Sequence, residues 1–124
     1  MTNIIYAYTR KQAVEDGEQV DVSATASEAG IRIPVFLTRR AYHNYVTVPP
    51  EAIGQDEAGR LWDIVWMLRL AIKCFDSTDD RIKFAHYCKN DSRHALMVEL
   101  IATCGPLDMD TPQPAITIMM PGED

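Results

Sequence analysis

The sequence has no long apolar run and few cysteines. No segment approaches the roughly 20 apolar residues that cross a bilayer, and no basic residues precede the short apolar stretch near the start, as a secretion signal requires. The three cysteines, Cys74, Cys88 and Cys104, include no CxxC spacing. An odd set of this kind is typical of reduced thiols rather than of a disulfide framework. We therefore expect a cytoplasmic protein that does not enter a membrane.

Recurrent catalytic motifs are also missing. The chain contains no GxSxG, no HExxH, no P-loop and no GxGxxG, which are the spacings that position nucleophiles, zinc ligands and nucleotide phosphates. Basic residues are in the minority, since 12 Lys and Arg against 18 Asp and Glu give a net charge of −6. An acidic surface repels the nucleic-acid backbone. These absences favour a protein that binds no nucleic acid and uses no cofactor or metal.

The composition itself is that of an ordinary folded domain. With 124 residues, 47% of them hydrophobic, the chain is long enough to bury one core, so we expect a single domain over 1–124. The proline-free segment Gln55–Phe75 predicts one long helix. Apolar alternation predicts strands at Asn3–Tyr8, Arg81–Lys89, Arg93–Thr103 and, after the loop Gly105–Pro114, Ala115–Met120. The predicted class is α+β, with a small antiparallel sheet packed on one long central helix and short N-terminal helices. The C-terminal hairpin and the last strand form this sheet, and the N-terminal strand is an optional further member.

Capping and breaking signals predict the short elements that precede the long helix. Thr9 stands three residues before a glutamine, the spacing of a capping box, and Thr38 is a second N-cap. Gly17 and Gly30 end two short helices, because glycine takes the left-handed conformation of a C-terminal cap. Pro34 lacks an amide, so the apolar segment around it is predicted to lie at a sheet edge or outside the sheet.

The long helix carries two separate stripes. One is apolar and is predicted to face the core: Leu61, Val65, Leu68, Ile72 and Phe75. The other stripe is predicted to be an interface, and a homodimer is the first expectation for it. Its residues are Trp62, Trp66, Arg69 and Lys73. The alternative is that elements of the same chain cover both tryptophan rings.

The predicted hairpin places a thiol and two imidazoles near one another. Its apolar faces pair even-numbered residues with even-numbered residues, which turns His86 and Cys88 toward the core. Together with His94 these residues are candidates for a thiol–imidazole pair or part of a metal site, but no local residue completes a set of four zinc ligands. The pattern therefore favours core residues.

Two further segments carry charged residues of functional interest. Arg39, Arg40 and His43 form a candidate anion-binding cluster, since guanidinium groups suit phosphate or carboxylate. The alternative is that they pair with the surplus acids of the domain. The loop Asp56–Arg60 places two carboxylates before the long helix, where they either favour helix initiation or contribute to a site.

Three strings of the sequence resemble a known family. They are Gly54-Gln55-Asp56-Glu57-Ala58-Gly59-Arg60-Leu61-Trp62-Asp63, Val20-Asp21-Val22-Ser23 with Ala29-Gly30, and the end Ile116-Thr117-Ile118-Met119-Met120-Pro121-Gly122-Glu123-Asp124. The resemblance is to an uncharacterised family of small acidic bacterial proteins carried on phages, plasmids and integrated elements. It implies an accessory protein of mobile DNA and brings no activity, cofactor or catalytic residue.

Two hypotheses about function follow. The first is a non-enzymatic accessory protein of a mobile element that binds another protein, for example a host defence component of the CRISPR or restriction type. The second is a small enzyme or small-molecule binder whose site combines the Asp56–Arg60 loop with Arg39, Arg40 and His43. Small size, acidity and the missing catalytic spacings favour the first.

Overall fold

Local capping signals start the helices. The computed structural model describes residues 8–74, 80–90 and 95–123. Thr9 forms both halves of the predicted capping box: its hydroxyl accepts from the Gln12 amide at 3.1 Å, and its own amide donates to the Gln12 side chain at 3.0 Å. Thr38 caps another helix through the amide of Ala41. The described residues form four helices, α1 (Arg10–Glu15), α2 (Ser23–Glu28), α3 (Arg39–Tyr45) and α4 (Glu57–Cys74).

The strands form one five-stranded sheet. They are β1 (Gln19–Asp21), β2 (Val35–Thr38), β3 (Arg81–Cys88), β4 (Leu96–Asp108) and β5 (Thr111–Met119). Their order is β1-β2-β5-β4-β3, with β2 parallel to β5 and all other neighbours antiparallel. The predicted α+β class is confirmed, although the sheet is mixed rather than antiparallel because β1 and β2 join it. The predicted strand Asn3–Tyr8 lies outside the described residues except for Tyr8.

Two predictions about proline-containing segments are wrong. β2 lies inside the sheet, between β1 and β5, and not at an edge. Pro34 precedes this strand, so its missing amide costs no ladder bond, and its carbonyl accepts from the Ile116 amide at 2.9 Å. The segment Gly105–Pro114, predicted as a loop, completes β4 and begins β5. Pro106 pairs with Pro114 beside a register shift, where a strand tolerates a missing amide.

The register predicted for the hairpin is confirmed. Phe84 pairs with Leu100, and His86 pairs with Val98. Phe84, His86 and Cys88 are all buried on the same face of β3. Alternation along the strand leaves Tyr87 on the opposite face.

One face of the sheet carries the main core. Helices α2, α3 and α4 pack there on residues such as Leu37, Leu100 and Ile118, which are fully buried. On the other face, the Arg10 guanidinium of α1 lies 4.4 Å from the Phe36 ring centroid. The long helix α4 therefore has one side on the core and one side turned away from it.

Candidate functional site

The outer side of α4 holds the residues predicted as an interface. The buried side of the helix carries Arg60, Ile64, Val65 and Leu68. At about 100° per residue, Trp66 projects almost directly opposite the middle of that buried side. The core stripe predicted from sequence is thus only partly right, because Ile72 is 38% exposed.

Trp62 and Trp66 form a stacked pair on this outer side. Their ring centroids are 5.8 Å apart and their planes differ by 16°. The two residues are 36% and 38% exposed, so more than a third of each remains in solvent despite the mutual contact. Met67 and Leu70 extend the surface and are exposed to the same degree. We call these four residues the tryptophan face; together they expose on the order of 300 Å², the size of the largest apolar patch on a typical monomer.

Arg69 stabilises one end of the tryptophan pair. Its guanidinium carbon lies 5.2 Å from the Trp66 ring centroid, a cation–π geometry. The side chain reaches that position by passing Gly30, which has a φ of 96°. A Cβ on residue 30 would lie 2.7 Å from the Arg69 Nε. Glycine at this position thus ends α2 and makes room for the arginine.

The structure brings three of the four predicted interface residues into direct contact. Trp62, Trp66 and Arg69 form one stack, and Lys73 is exposed in the last turn of the same helix. That these residues contact a partner stays a prediction. The described elements of the chain leave the two rings partly uncovered, which is the condition that an interface requires.

The predicted anion cluster lies elsewhere, at the start of α3. Arg39, Arg40 and His43 line one cavity of about 760 Å³ together with Glu18 and Glu123. Arg39 pairs with Glu18 at 3.5 Å, and Glu123 Oε2 accepts two hydrogen bonds from neighbouring residues at 2.8 and 2.7 Å. Arg40 has no ion-pair partner among the described residues. The cavity therefore presents one free guanidinium beside acids that are already engaged.

The Asp56–Arg60 loop does not line that cavity. Part of it borders a separate cavity of about 350 Å³, which also contacts Trp62. Asp56 Oδ1 accepts from the Gly59 amide at 2.6 Å and so satisfies one of the free amides at the start of α4. The helix-initiating role predicted for Asp56 is confirmed.

Sequence reasoning missed the buried guanidinium of Arg60. It donates to five acceptors on α3, on the loop before α4 and at the end of β3: Tyr45 O (2.8 Å), Lys89 O (3.1 Å), Gln55 Oε1 (3.4 Å), Asn90 Oδ1 (2.6 Å) and Cys88 Sγ (3.1 Å). No carboxylate is among these five acceptors, so among the described residues neutral dipoles offset the cost of burying this charge. The one signal in the sequence is spacing: Arg60, Ile64 and Leu68 share a helix row.

His86 and Cys88 are core residues, as predicted. Burial raises the pKa of the Cys88 thiol, against an opposing effect of the Arg60 charge. Burial and, to a smaller extent, the Arg60 charge lower the pKa of His86 to about 4. At neutral pH the thiol is protonated and the imidazole is neutral, which is not the ion pair that nucleophilic cysteine chemistry uses. His94 lies outside the described residues.

Residues 8–74, 80–90 and 95–123 form neither a metal-binding cluster nor a membrane-spanning helix. No three His, Cys, Asp or Glu side chains in these ranges come together in a way that holds a metal ion. In the same ranges, no helix combines the length and hydropathy that crossing a bilayer requires.

The chain belongs to a family of unknown function, DUF6573, whose model matches residues 1–124. The predicted resemblance to an uncharacterised family is confirmed at that level. No curated protein matches the chain. No solved structure matches it either.

Proposed function

We propose that this chain is a non-enzymatic domain that acts by binding protein partners through the tryptophan face of α4, with a second copy of the chain as the first partner. One observation carries the proposal. Trp62 and Trp66 are stacked on each other and more than a third exposed, on the side of a long helix that faces away from its own core.

The residue types support a binding role. Tryptophan and arginine are enriched at binding hot spots, where truncation of one side chain costs about 2 kcal/mol or more. Trp66 has both features, since its ring stacks on Trp62 and lies under the Arg69 guanidinium. Held in this way, the ring loses little conformational freedom when a partner covers it.

The interior supports a non-enzymatic role. The buried thiol and imidazole on β3 are both uncharged at neutral pH, and the donors of Arg60 are engaged in structural hydrogen bonds. The exposed cations at the start of α3 share their cavity with carboxylates that are already paired or hydrogen-bonded. Among the described residues, these groups fit structural roles better than catalytic ones.

The proposal extends to the cellular setting that the family resemblance implied. We place the protein in the cytoplasm as an accessory protein of a mobile element, bound to a protein of the host or of the element. The three unpaired cysteines support a reducing compartment. The net charge of −6 favours a partner with a basic surface, such as a nuclease of a CRISPR or restriction system.

Capture with matched variants tests the proposal. Wild type, Trp66→Ala and Tyr87→Ala are immobilised and exposed to bacterial lysate and to the purified, untagged chain. Retained proteins are identified by mass spectrometry and then re-measured in purified form. Tyr87 is 69% exposed on the sheet face opposite the core, so its removal controls for the loss of an exposed aromatic.

The expected result is a partner that binds wild type and Tyr87→Ala equally and binds Trp66→Ala at least tenfold more weakly. Circular dichroism establishes that each variant keeps its fold. Identical binding by all three proteins would refute a role for the tryptophan face.

A second candidate function is anion or small-molecule binding at the α3 cavity. The observation that favours it is that Arg39, Arg40 and His43 all line one cavity of about 760 Å³. Titration of wild type and Arg40→Met with inorganic phosphate, followed by NMR, tests it. A site would show saturable shifts confined to this cavity and lost in the variant, whereas a surface without a site would show weak, non-saturating shifts in both proteins.

A further inference from the structure

We infer that two copies of the chain pair through their tryptophan faces with the α4 helices antiparallel, across a two-fold axis level with Leu68. The inference rests on the proposed function and adds the orientation of the second copy and the charges that set it.

Exposed charge is segregated along α4. Glu57 and Asp63 lie in the first half of the helix, and Lys73 lies in its last turn. Neither Asp63 nor Lys73 has an ion-pair partner among the described residues. The tryptophan face is therefore bordered by a negative end and a positive end, neither of them neutralised by an ion pair with another described residue.

An antiparallel pair matches these ends. At a rise of about 1.5 Å per residue, Asp63 and Lys73 lie roughly 7–8 Å to either side of the level of Leu68. A two-fold axis at that level brings Asp63 of one copy level with Lys73 of the other, twice in each dimer. The flexible four-carbon stem of lysine spans the remaining width of the contact. The same two-fold axis brings Trp66 level with Leu70 of the partner copy. The apolar residues of the two tryptophan faces therefore contact one another.

A parallel pair of α4 helices would bring like charges together. It would set Asp63 beside Asp63 and Lys73 beside Lys73, two like-charge contacts in place of two attractive ones. It would also align the two helix dipoles side by side. Charge along the helix thus selects the antiparallel arrangement.

The tryptophan face is smaller than the apolar part of a standard interface, which indicates weak association. A standard interface buries about 800 Å² per partner, somewhat more than half of it apolar. The tryptophan face exposes on the order of 300 Å², which supplies an apolar centre but needs a polar rim around it. Such an interface fits a dissociation constant in the micromolar range.

Charge reversal tests the orientation. Wild type, Asp63→Lys, Lys73→Glu and the double variant are compared by analytical ultracentrifugation at low salt across a micromolar concentration series. Glu51→Lys and Lys83→Glu are controls, because both residues are exposed and each substitution changes the net charge by the same amount as its test variant.

Each single reversal should weaken the dimer roughly tenfold, since two attractive contacts become repulsive. The double reversal should restore wild-type affinity to within about threefold, and the controls should change it less than twofold. Unchanged association in both single variants would refute the antiparallel pair. A wild type that is monomeric at high micromolar concentration but still captures a foreign protein through Trp66 would refute the second copy as partner and leave intact the proposed binding role of the tryptophan face. Absence of every Trp66-dependent contact would refute both the dimer and the binding role of the tryptophan face.

Discussion

Replacing His86 with phenylalanine should stabilise the protein, most of all in weak acid. His86 is only 3% exposed, and neither ring nitrogen has a hydrogen-bond partner among the described residues. Its ring lies edge-on to that of Tyr45, with centroids 5.5 Å apart. Phenylalanine keeps a ring of similar size in this contact and removes both polar atoms.

At neutral pH, His86→Phe is more stable because it avoids the cost of burying two unpaired polar atoms. An unsatisfied buried polar group costs about 1–3 kcal/mol, and the fit of the new ring offsets part of the saving. We therefore expect His86→Phe to raise the free energy of unfolding by roughly 1–2 kcal/mol at pH 7.

The additional stability of His86→Phe over wild type in acid comes from proton linkage. The pKa of His86 is about 4 in the fold, below its ordinary value of 6.5, because the site is buried and Arg60 is nearby. As pH falls from 6.5 to 4 the unfolded chain takes up a proton that the folded chain does not, so the wild type loses stability across that window. At about 1.4 kcal/mol per pKa unit, the loss reaches roughly 3 kcal/mol. The variant has no imidazole at this position and escapes the loss.

Urea unfolding followed by circular dichroism at pH 7, 6, 5 and 4 measures both effects. The quantity of interest is the difference between His86→Phe and wild type, because carboxylates that titrate in both proteins cancel. His43→Phe, at an exposed histidine, controls for the loss of an imidazole as such. The reasoning fails if His86→Phe is less stable than wild type at pH 7 and the difference stays constant down to pH 4.

Two substitutions and one labelling experiment test other parts of the structure. Gly30→Ala should destabilise the fold by about 1 kcal/mol more than Gly17→Ala in urea unfolding, because both have positive φ but only the first places a Cβ against a side chain; equal losses would contradict this. Arg60→Met should cost about 3 kcal/mol or more, because it removes five hydrogen bonds and leaves partly buried acceptors unpaired, against less than about 0.5 kcal/mol for the exposed Arg40→Met; similar losses would show that the Arg60 contacts do not stabilise the fold. Cys88 should resist alkylation in the native state while the two exposed cysteines react, which mass spectrometry after brief labelling measures; rapid labelling of Cys88 would contradict its burial.

Elements governed by local chemistry could be predicted from sequence. The capping box at Thr9 and the N-cap at Thr38 depend on residues three positions apart, and both occur in the structure. The register of β3 and β4 followed from the even-numbered apolar residues of each strand, because a shift by one residue would turn Phe84 out of the core. Helix α4 was recognisable because it contains no proline and is rich in apolar residues.

Elements governed by distant partners could not be predicted. β2 joins the sheet through a parallel pairing with β5, and nothing in the sequence near Val35 indicates a partner some 80 residues away. The burial of Arg60 depends on carbonyls of Tyr45 and Lys89, which lie on other elements. The buried side of α4 therefore includes Arg60 and Ile64 beside the predicted Val65 and Leu68, while the predicted Ile72 is 38% exposed. The tryptophan face was found from spacing alone, but its stacking and the space that Gly30 gives to Arg69 were not.

The contacts that hold α4 in place make the tryptophan face a better candidate binding surface than the α3 cavity. Arg60 ties the first turn of the helix to α3 and to the residue after β3 through hydrogen bonds to Tyr45 O and Lys89 O, and Gly30 leaves room for Arg69 to reach the Trp66 ring. The face between these two points is held on both sides, so little entropy is lost when a partner covers it. The cations of the α3 cavity are exposed, and one of them is paired with a glutamate, so a ligand there must compete with water and with that pair. Binding energy is therefore easier to obtain at Trp62 and Trp66 than at Arg40.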